Sequence, residues 1–303
     1  MSSNAPPKKL MVIINPAAGV DRPILGFLNA AMNRVGIEWD VRITHKANDA
    51  RRLAKEAAKS GWDIVAAHGG DGTVTEVADG LRGTDVPLAI FPGGTGNAMS
   101  GELGIPVDLE ASVRLVADGL YDIRTIDMAM AGAQSFILRV GIGFEADMTK
   151  IDQDLKNRFG ALAYAYSALN ELRTLTTARY KIIVDGQTEE VEGISCMVAN
   201  SGNMSTGGLR LSQKIDVADG LLDVLVFTNA NLLTLVNITA AMLSGADSTE
   251  QPQIMHRQGK EITVEADPPQ SISIDGEQME PMTIKAHVLP QSVKVVVPRK
   301  EVR

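Results

Sequence analysis

Short apolar runs recur through the first part of the chain, each closed by glycine, proline or asparagine and followed by a stretch with helical spacing. Leu10-Met11-Val12-Ile13-Ile14 is the first, ending at Asn15-Pro16 with Ala17-Ala18-Gly19 as its loop, and it predicts a short buried strand. Pro23 is placed to open a helix running to about Val35, with Gly36 as its stop. Glu38 to Thr44 predicts the next strand, and Asn48 the cap of a helix that ends before Gly61. Ile64-Val65-Ala66-Ala67 runs straight into His68-Gly69-Gly70-Asp71-Gly72-Thr73. A helix starts there, and Thr73-Val74-Thr75-Glu76 has the spacing of a capping box. Pro87 to Phe91 is a fourth strand, followed by Pro92-Gly93-Gly94-Thr95-Gly96-Asn97 and a further helix. This alternation predicts a parallel sheet with helices on both faces.

Near Asp127 the pattern changes to strands. Phe136 to Val140, Tyr180 to Val184, Ile194 to Ala199, Leu221 to Phe227, Ile262 to Ala266, Ser271 to Ile274 and Met282 to Leu289 each read as one. Asp185-Gly186 is a hairpin signal between strands. Helical stretches interrupt at about Phe159 to Thr174 and Ala230 to Leu243. Two domains are expected: an α/β domain over 1–126, and a mostly antiparallel sandwich or barrel over 127–303. The last apolar strand, Val293 to Val297, is a candidate to return to the first sheet.

Composition narrows the function. Hydrophobic residues make up 45% and charged residues 22%, enough for a packed core. The formal charge of -8 argues against a nucleic-acid binder. A single cysteine, Cys196, excludes an internal disulfide and fits a reducing cytosol. The polar N-terminal stretch has no apolar signal-peptide core, and no run is long enough to span a bilayer. A cytoplasmic protein touching membrane only peripherally is expected. His45, His68, His256 and His287 lack paired metal-ligand spacing; His68 borders the Gly69–Thr73 loop.

Both glycine-rich loops follow a buried strand and precede a helix, the place where open parallel sheets bind ligands. Glycines let backbone N–H groups approach phosphate oxygens, and the following helix offers its positive end. Plain tight turns would also use glycine, but would not call for Asp71, Thr73, Thr95 and Asn97. There is no G-x-x-x-x-G-K-[ST] signature. Gly141-Ile142-Gly143-Phe144-Glu145-Ala146 matches the loose dinucleotide pattern, yet no compact β-α-β unit follows.

Gly69-Gly70-Asp71-Gly72-Thr73 resembles the GGDGT loop shared by diacylglycerol kinases, sphingosine and ceramide kinases and the soluble bacterial lipid kinases; NAD kinases and phosphofructokinases carry related loops. Asn15-Pro16, Pro92 to Asn97, Gly141 to Ala146, Asp219-Gly220-Leu221-Leu222-Asp223 and Ile274-Asp275-Gly276-Glu277 resemble further lipid-kinase motifs, in that family's order and over nearly the whole chain. Ala98 departs from the Asp of many diacylglycerol kinases and is similar to sphingosine-kinase-like members.

The resemblance implies a phosphofructokinase-like or NAD-kinase-like first domain of diacylglycerol kinase catalytic type, and a β-sandwich second domain for lipid substrate. It implies ATP as co-substrate, contacted by Asn15, Thr44, Gly69, Gly70, Gly72, Thr73, Thr95, Gly96 and Asn97, with Asp71 orienting Mg²⁺ through water. Glu277 is the implied general base for a lipid hydroxyl; from spacing alone, a second hairpin with a solvated Glu277 is an equal reading. Asp216, Asp219 and the Leu221 carbonyl match a second, structural Mg²⁺ site, with a solvated acidic loop as the alternative. Lys150, Lys156, Arg158 and Arg173 lie among apolar residues of a stretch that either touches lipid head groups or packs on its own sheet. The acceptor is a diacylglycerol-like or sphingoid lipid at a membrane surface. Proteins of this fold often pair, so a homodimer is consistent with it. An NAD-kinase-like nucleotide kinase and a non-catalytic nucleotide- or lipid-binding regulator are the competing readings.

Overall fold

The computed structural model describes residues 6–19, 23–143, 177–204, 210–228, 247, 249 and 251–299. The amphipathic stretch from Lys150 to Arg173, the helices expected near 159–174 and 230–243, and the Phe144-Glu145-Ala146 part of its motif lie outside these residues. The chain divides into two compact units, one of Met1–Asp127, Asn203–Gly208 and Pro290–Arg303, the other of Met128–Gly202 and Leu209–Leu289.

In the first unit, β1 (Lys9–Ile14), β2 (Glu38–Ile43), β3 (Ile64–Gly69) and β4 (Leu88–Pro92) form a parallel sheet in the order β2-β1-β3-β4. The end of β16 (Ile284–Pro298) joins beside β4, also in parallel. Apolar residues fill these strands on both faces because helices cover both. Leu10, Val12, Ile64, Ala66 and Phe91 pack against Leu28 and Met32 of α1 (Ile24–Val35) and Val113 and Val116 of α5 (Leu109–Ala117). Helices α2 (Asp49–Ala57) and α3 (Asp71–Leu81) pack closely: a Cβ on Gly80 would lie 2.7 Å from that of Ala54. Gly36 ends α1 in the left-handed conformation, as its position predicted.

Two expected caps are corrected. Helix α3 begins at Asp71, with Gly70 as its N-cap and no side-chain cap, so Thr73 and Glu76 form no capping box. Glu76 instead accepts N–H bonds from Asn48 and Ala50, at 2.9 and 3.0 Å, and so caps α2. Asn48 adopts a left-handed conformation and makes no side-chain cap. The neighbouring helix supplies the carboxylate, which satisfies the orphan amides equally well.

The second unit is antiparallel. One sheet, of six strands, runs β12 (Ile254–Gly259), β11 (Leu222–Phe227), β10 (Ser195–Ala199), β7 (Arg139–Gly143), β14 (Ile272–Ile274) and β15 (Glu277–Met279). The other places β13 (Glu261–Asp267) between β16 and β8 (Ala178–Val184), with β9 (Gln187–Gly193) at the edge. Val140, Ile142, Val198, Val224, Tyr180, Ile182, Ile262 and Val264 form the core between them. Cys196 is wholly buried there, and burial pushes its thiol pKa up, so it behaves as a core residue. Asp185 and Gly186 both have positive φ, as a two-residue hairpin between β8 and β9 requires.

Three strand boundaries differ from expectation. The run Phe136 to Val140 is split between β6 (Gln134–Phe136) and β7, because the amides at 137 and 138 turn to a side chain rather than to a neighbouring strand. The runs Met282 to Leu289 and Val293 to Val297 join as β16. Pro290 does not end that strand: Gln291 N–H is satisfied by buried Asp127 at 2.7 Å. Strand β5 (Tyr121–Ala131), which pairs with β6 and β16, begins before the expected change of pattern.

Candidate functional site

Strands β1, β3 and β4 are neighbours, and register pairs Ile14 with His68 and Gly69 with Pro92. Their loops therefore leave the sheet at one level, and the sequence after each strand decides how closely they approach. A Cβ on Gly94 would lie 2.6 Å from the Cα of Gly70, so main chain meets main chain with no room for any side chain. Gly19 is tighter still: its Cβ would fall 1.6 Å from the Gly93 carbonyl oxygen, and its φ is +74°.

Polar side chains lock this arrangement. Asn15 donates from Nδ2 to Thr73 Oγ1 at 3.1 Å and accepts the Ala17 N–H at 3.0 Å. Asn97 accepts the Gly94 N–H at 3.0 Å and donates to the Gly94 carbonyl at 2.7 Å. Asp71 accepts the Met99 N–H at 3.2 Å, joining the start of α3 to α4 (Ala98–Leu103). His68 donates from Nδ1 to the Phe91 carbonyl at 3.0 Å, and its ring edge backs Gly93. Asn15 and Asn97, expected to touch ATP, also hold the loop geometry through these bonds.

What stays open is the rim. Gly72, Thr95 and Gly96 are exposed, Asp71 is half-buried, and Gly70, the N-cap of α3, has no side chain to cap it. A helix N-terminus beside a glycine loop offers backbone amides and a positive dipole end, the chemistry that binds a phosphate. Thr44 follows β2, buried, its N–H on the carbonyl of Ile14, the residue before Asn15.

The remaining expected residues lie in the second unit. Glu277 opens β15, exposed, and accepts a bond from Gln134 Nε2 at 3.3 Å. The Asp275-Gly276 turn before it has φ of +47° and +89°. Asp216 and Asp219 are exposed on the loop before β11, each accepting an amide of that loop, from Ala218 at 3.1 Å and Leu221 at 2.9 Å. Among the described residues no group of three or more His, Cys, Asp or Glu side chains could hold a metal ion. Two carboxylates and a carbonyl are nonetheless oxygen donors of the kind a hydrated hard cation takes. In the sheet order, β10, β7 and β14 separate β11 from β15, roughly 19 Å at the usual strand spacing. That loop and Glu277 are separate features.

Asp275 was legible only as a turn residue. Its carboxylate accepts the N–H groups of Ile137, Leu138 and Arg139 at 2.9, 3.0 and 2.9 Å, more than 130 positions away in sequence. No local pattern announces such a partner.

Two family models match the chain. The diacylglycerol kinase catalytic domain matches residues 9–131, and the YegS C-terminal NAD kinase beta sandwich-like domain matches residues 138–297. A Bacillus subtilis protein named diacylglycerol kinase is 28% identical over 97% of this chain and 98% of its own length. A Pseudomonas aeruginosa protein named "Probable lipid kinase YegS-like" is 30% identical over 89% of this chain and 88% of its own. The crystal structure of a diacylglycerol kinase from Bacillus anthracis is similar with a TM-score of 0.78 and 27% identity, over 98% of this chain and 99% of that one.

Proposed function

Because the chain belongs to the lipid kinase family built on the diacylglycerol kinase catalytic domain, we propose that it transfers the γ-phosphoryl group of ATP, with Mg²⁺, to a hydroxyl of a diacylglycerol-like or sphingoid lipid. The observation that carries this reading is the approach of Gly94 to Gly70, which joins two glycine loops into one main-chain surface. Amides held rigidly at that surface bind phosphate oxygens without reorganising, and such preorganisation supplies most of what phosphoryl transfer needs.

The chain's residues divide the work. The Gly69–Thr73 and Pro92–Asn97 loops hold the phosphates, Thr73 and Thr95 adding hydroxyl donors. Asn15 and Asn97 keep those loops in shape. Asp71 is the carboxylate that would orient a hydrated Mg²⁺, which would supply neutralisation of phosphate charge. Glu277 accepts the proton of the lipid hydroxyl as its oxygen bonds to phosphorus and the bond to the leaving ADP oxygen breaks. Asp216, Asp219 and the Leu221 carbonyl suit a second, structural cation. No helix among the described residues is long and apolar enough to cross a membrane. This reading takes the lipid from a membrane surface, with the protein in the cytoplasm, alone or as a homodimer.

ATP consumption with diacylglycerol, sphingosine, monoacylglycerol and NAD offered separately tests the proposal. Turnover is expected with a lipid and not with NAD, abolished by EDTA and restored by Mg²⁺. Turnover with NAD alone would move the assignment to a nucleotide kinase, and no turnover with any lipid would favour a regulator. In the same assay Gly94→Ala is expected to raise the KM for ATP by roughly tenfold, since its methyl group forces the two loops apart. An unchanged KM would show that the contact does not shape the phosphate site.

A further inference from the structure

The turn that carries Glu277 is held by one short corner of the same unit, residues 134–139, which comprise β6 and the step into β7. From that corner the N–H groups of Ile137, Leu138 and Arg139 all point at the Asp275 carboxylate, while the Arg139 carbonyl accepts the Asp275 N–H at 2.9 Å. Its carbonyls are tied down behind: Asn200 donates its side-chain amide to Ile137 at 2.9 Å, and the Asn200 and Ser201 N–H groups bond Leu138 at 2.8 and 3.1 Å. Asn200 and Ser201 are each 1% exposed, so this backing is interior and shielded from water. The same corner also contributes Gln134, whose amide reaches the Glu277 carboxylate.

We propose that this corner is a positioning element for Glu277, with Asp275 anchoring the turn and Gln134 orienting the carboxylate. The inference rests on the reading of Glu277 as the base, and deepens it. Asp275 and Gly276 both hold positive φ, as the two-residue hairpin between β14 and β15 requires. Three charge-assisted amide bonds fix where that hairpin sits. Glu277, two positions on and exposed, has the Gln134 amide to select one carboxylate direction from the several its rotamers allow.

The test uses the full chain and four measurements: kcat, the KM for ATP, the KM for lipid and the thermal midpoint. Asp275→Asn leaves one oxygen for three N–H donors and turns an amide toward the third. It is expected to lower kcat by about tenfold with the KM for ATP unchanged. Gln134→Ala removes a half-buried side chain with one bond, and is expected to lower kcat by about threefold to tenfold with midpoint and KM for ATP unchanged. Wild-type kcat in Gln134→Ala would remove the orienting role. A loss in Asp275→Asn that only tracks a fallen midpoint would reduce that residue to a structural one. Glu277→Gln serves as the control: if it keeps turnover, the base assignment itself falls. If it is inactive while Asp275→Asn and Gln134→Ala both turn over normally, only the positioning element falls.

Discussion

Glu277→Gln is expected to lower kcat by roughly 10³-fold while leaving the KM for ATP close to that of the parent. The substitution keeps shape and length and removes only the capacity to accept a proton. Glu277 is exposed and pairs across the turn with Ile274, and its side chain contributes nothing to the buried core. A folding defect is therefore not expected, and an unchanged thermal midpoint would isolate the chemical effect. Rates at saturating ATP and lipid decide the matter: turnover within a few-fold of the parent would dismiss Glu277 as the base.

The second large effect is expected from Asp71→Asn, a loss of kcat of roughly 10²-fold to 10³-fold. Asn retains an oxygen that can accept the Met99 N–H, so the link between α3 and α4 survives. What disappears is the negative charge beside Gly96, where the carboxylate oxygen lies 3.0 Å from the Cβ that glycine lacks. A residue that only capped a helix would cost stability and spare the rate. Titration of the rate with Mg²⁺ separates the cases: the variant should need more metal for half-maximal rate, and an unaltered Mg²⁺ requirement would contradict the metal-orienting role.

Much of the site could be read along the chain because its signals are short. A buried strand, a glycine loop and a helix start lie within about a dozen residues of each other, and turn chemistry acts over two or three. Asp185-Gly186 declared its hairpin in the same way. Strand β9 escaped notice because its pattern is almost wholly polar, with Glu189, Glu190 and Glu192 exposed at a sheet edge. The runs Met282 to Leu289 and Val293 to Val297 read as two strands, although a buried carboxylate from β5 satisfies the Gln291 amide between them and β16 runs on.

The sequence by itself determined where the glycine-rich loops stand, which strands alternate with helices, and which turns require positive φ, since these follow from local sterics and side-chain period. Only the tertiary structure decided which distant groups meet: Glu76 and the amides of α2, Asp275 and a corner more than 130 residues away, and the main chains of Gly94 and Gly70. Such pairings depend on which segments the closed sheets bring together. A buried donor must find some acceptor, but its own neighbours in the chain do not specify which one.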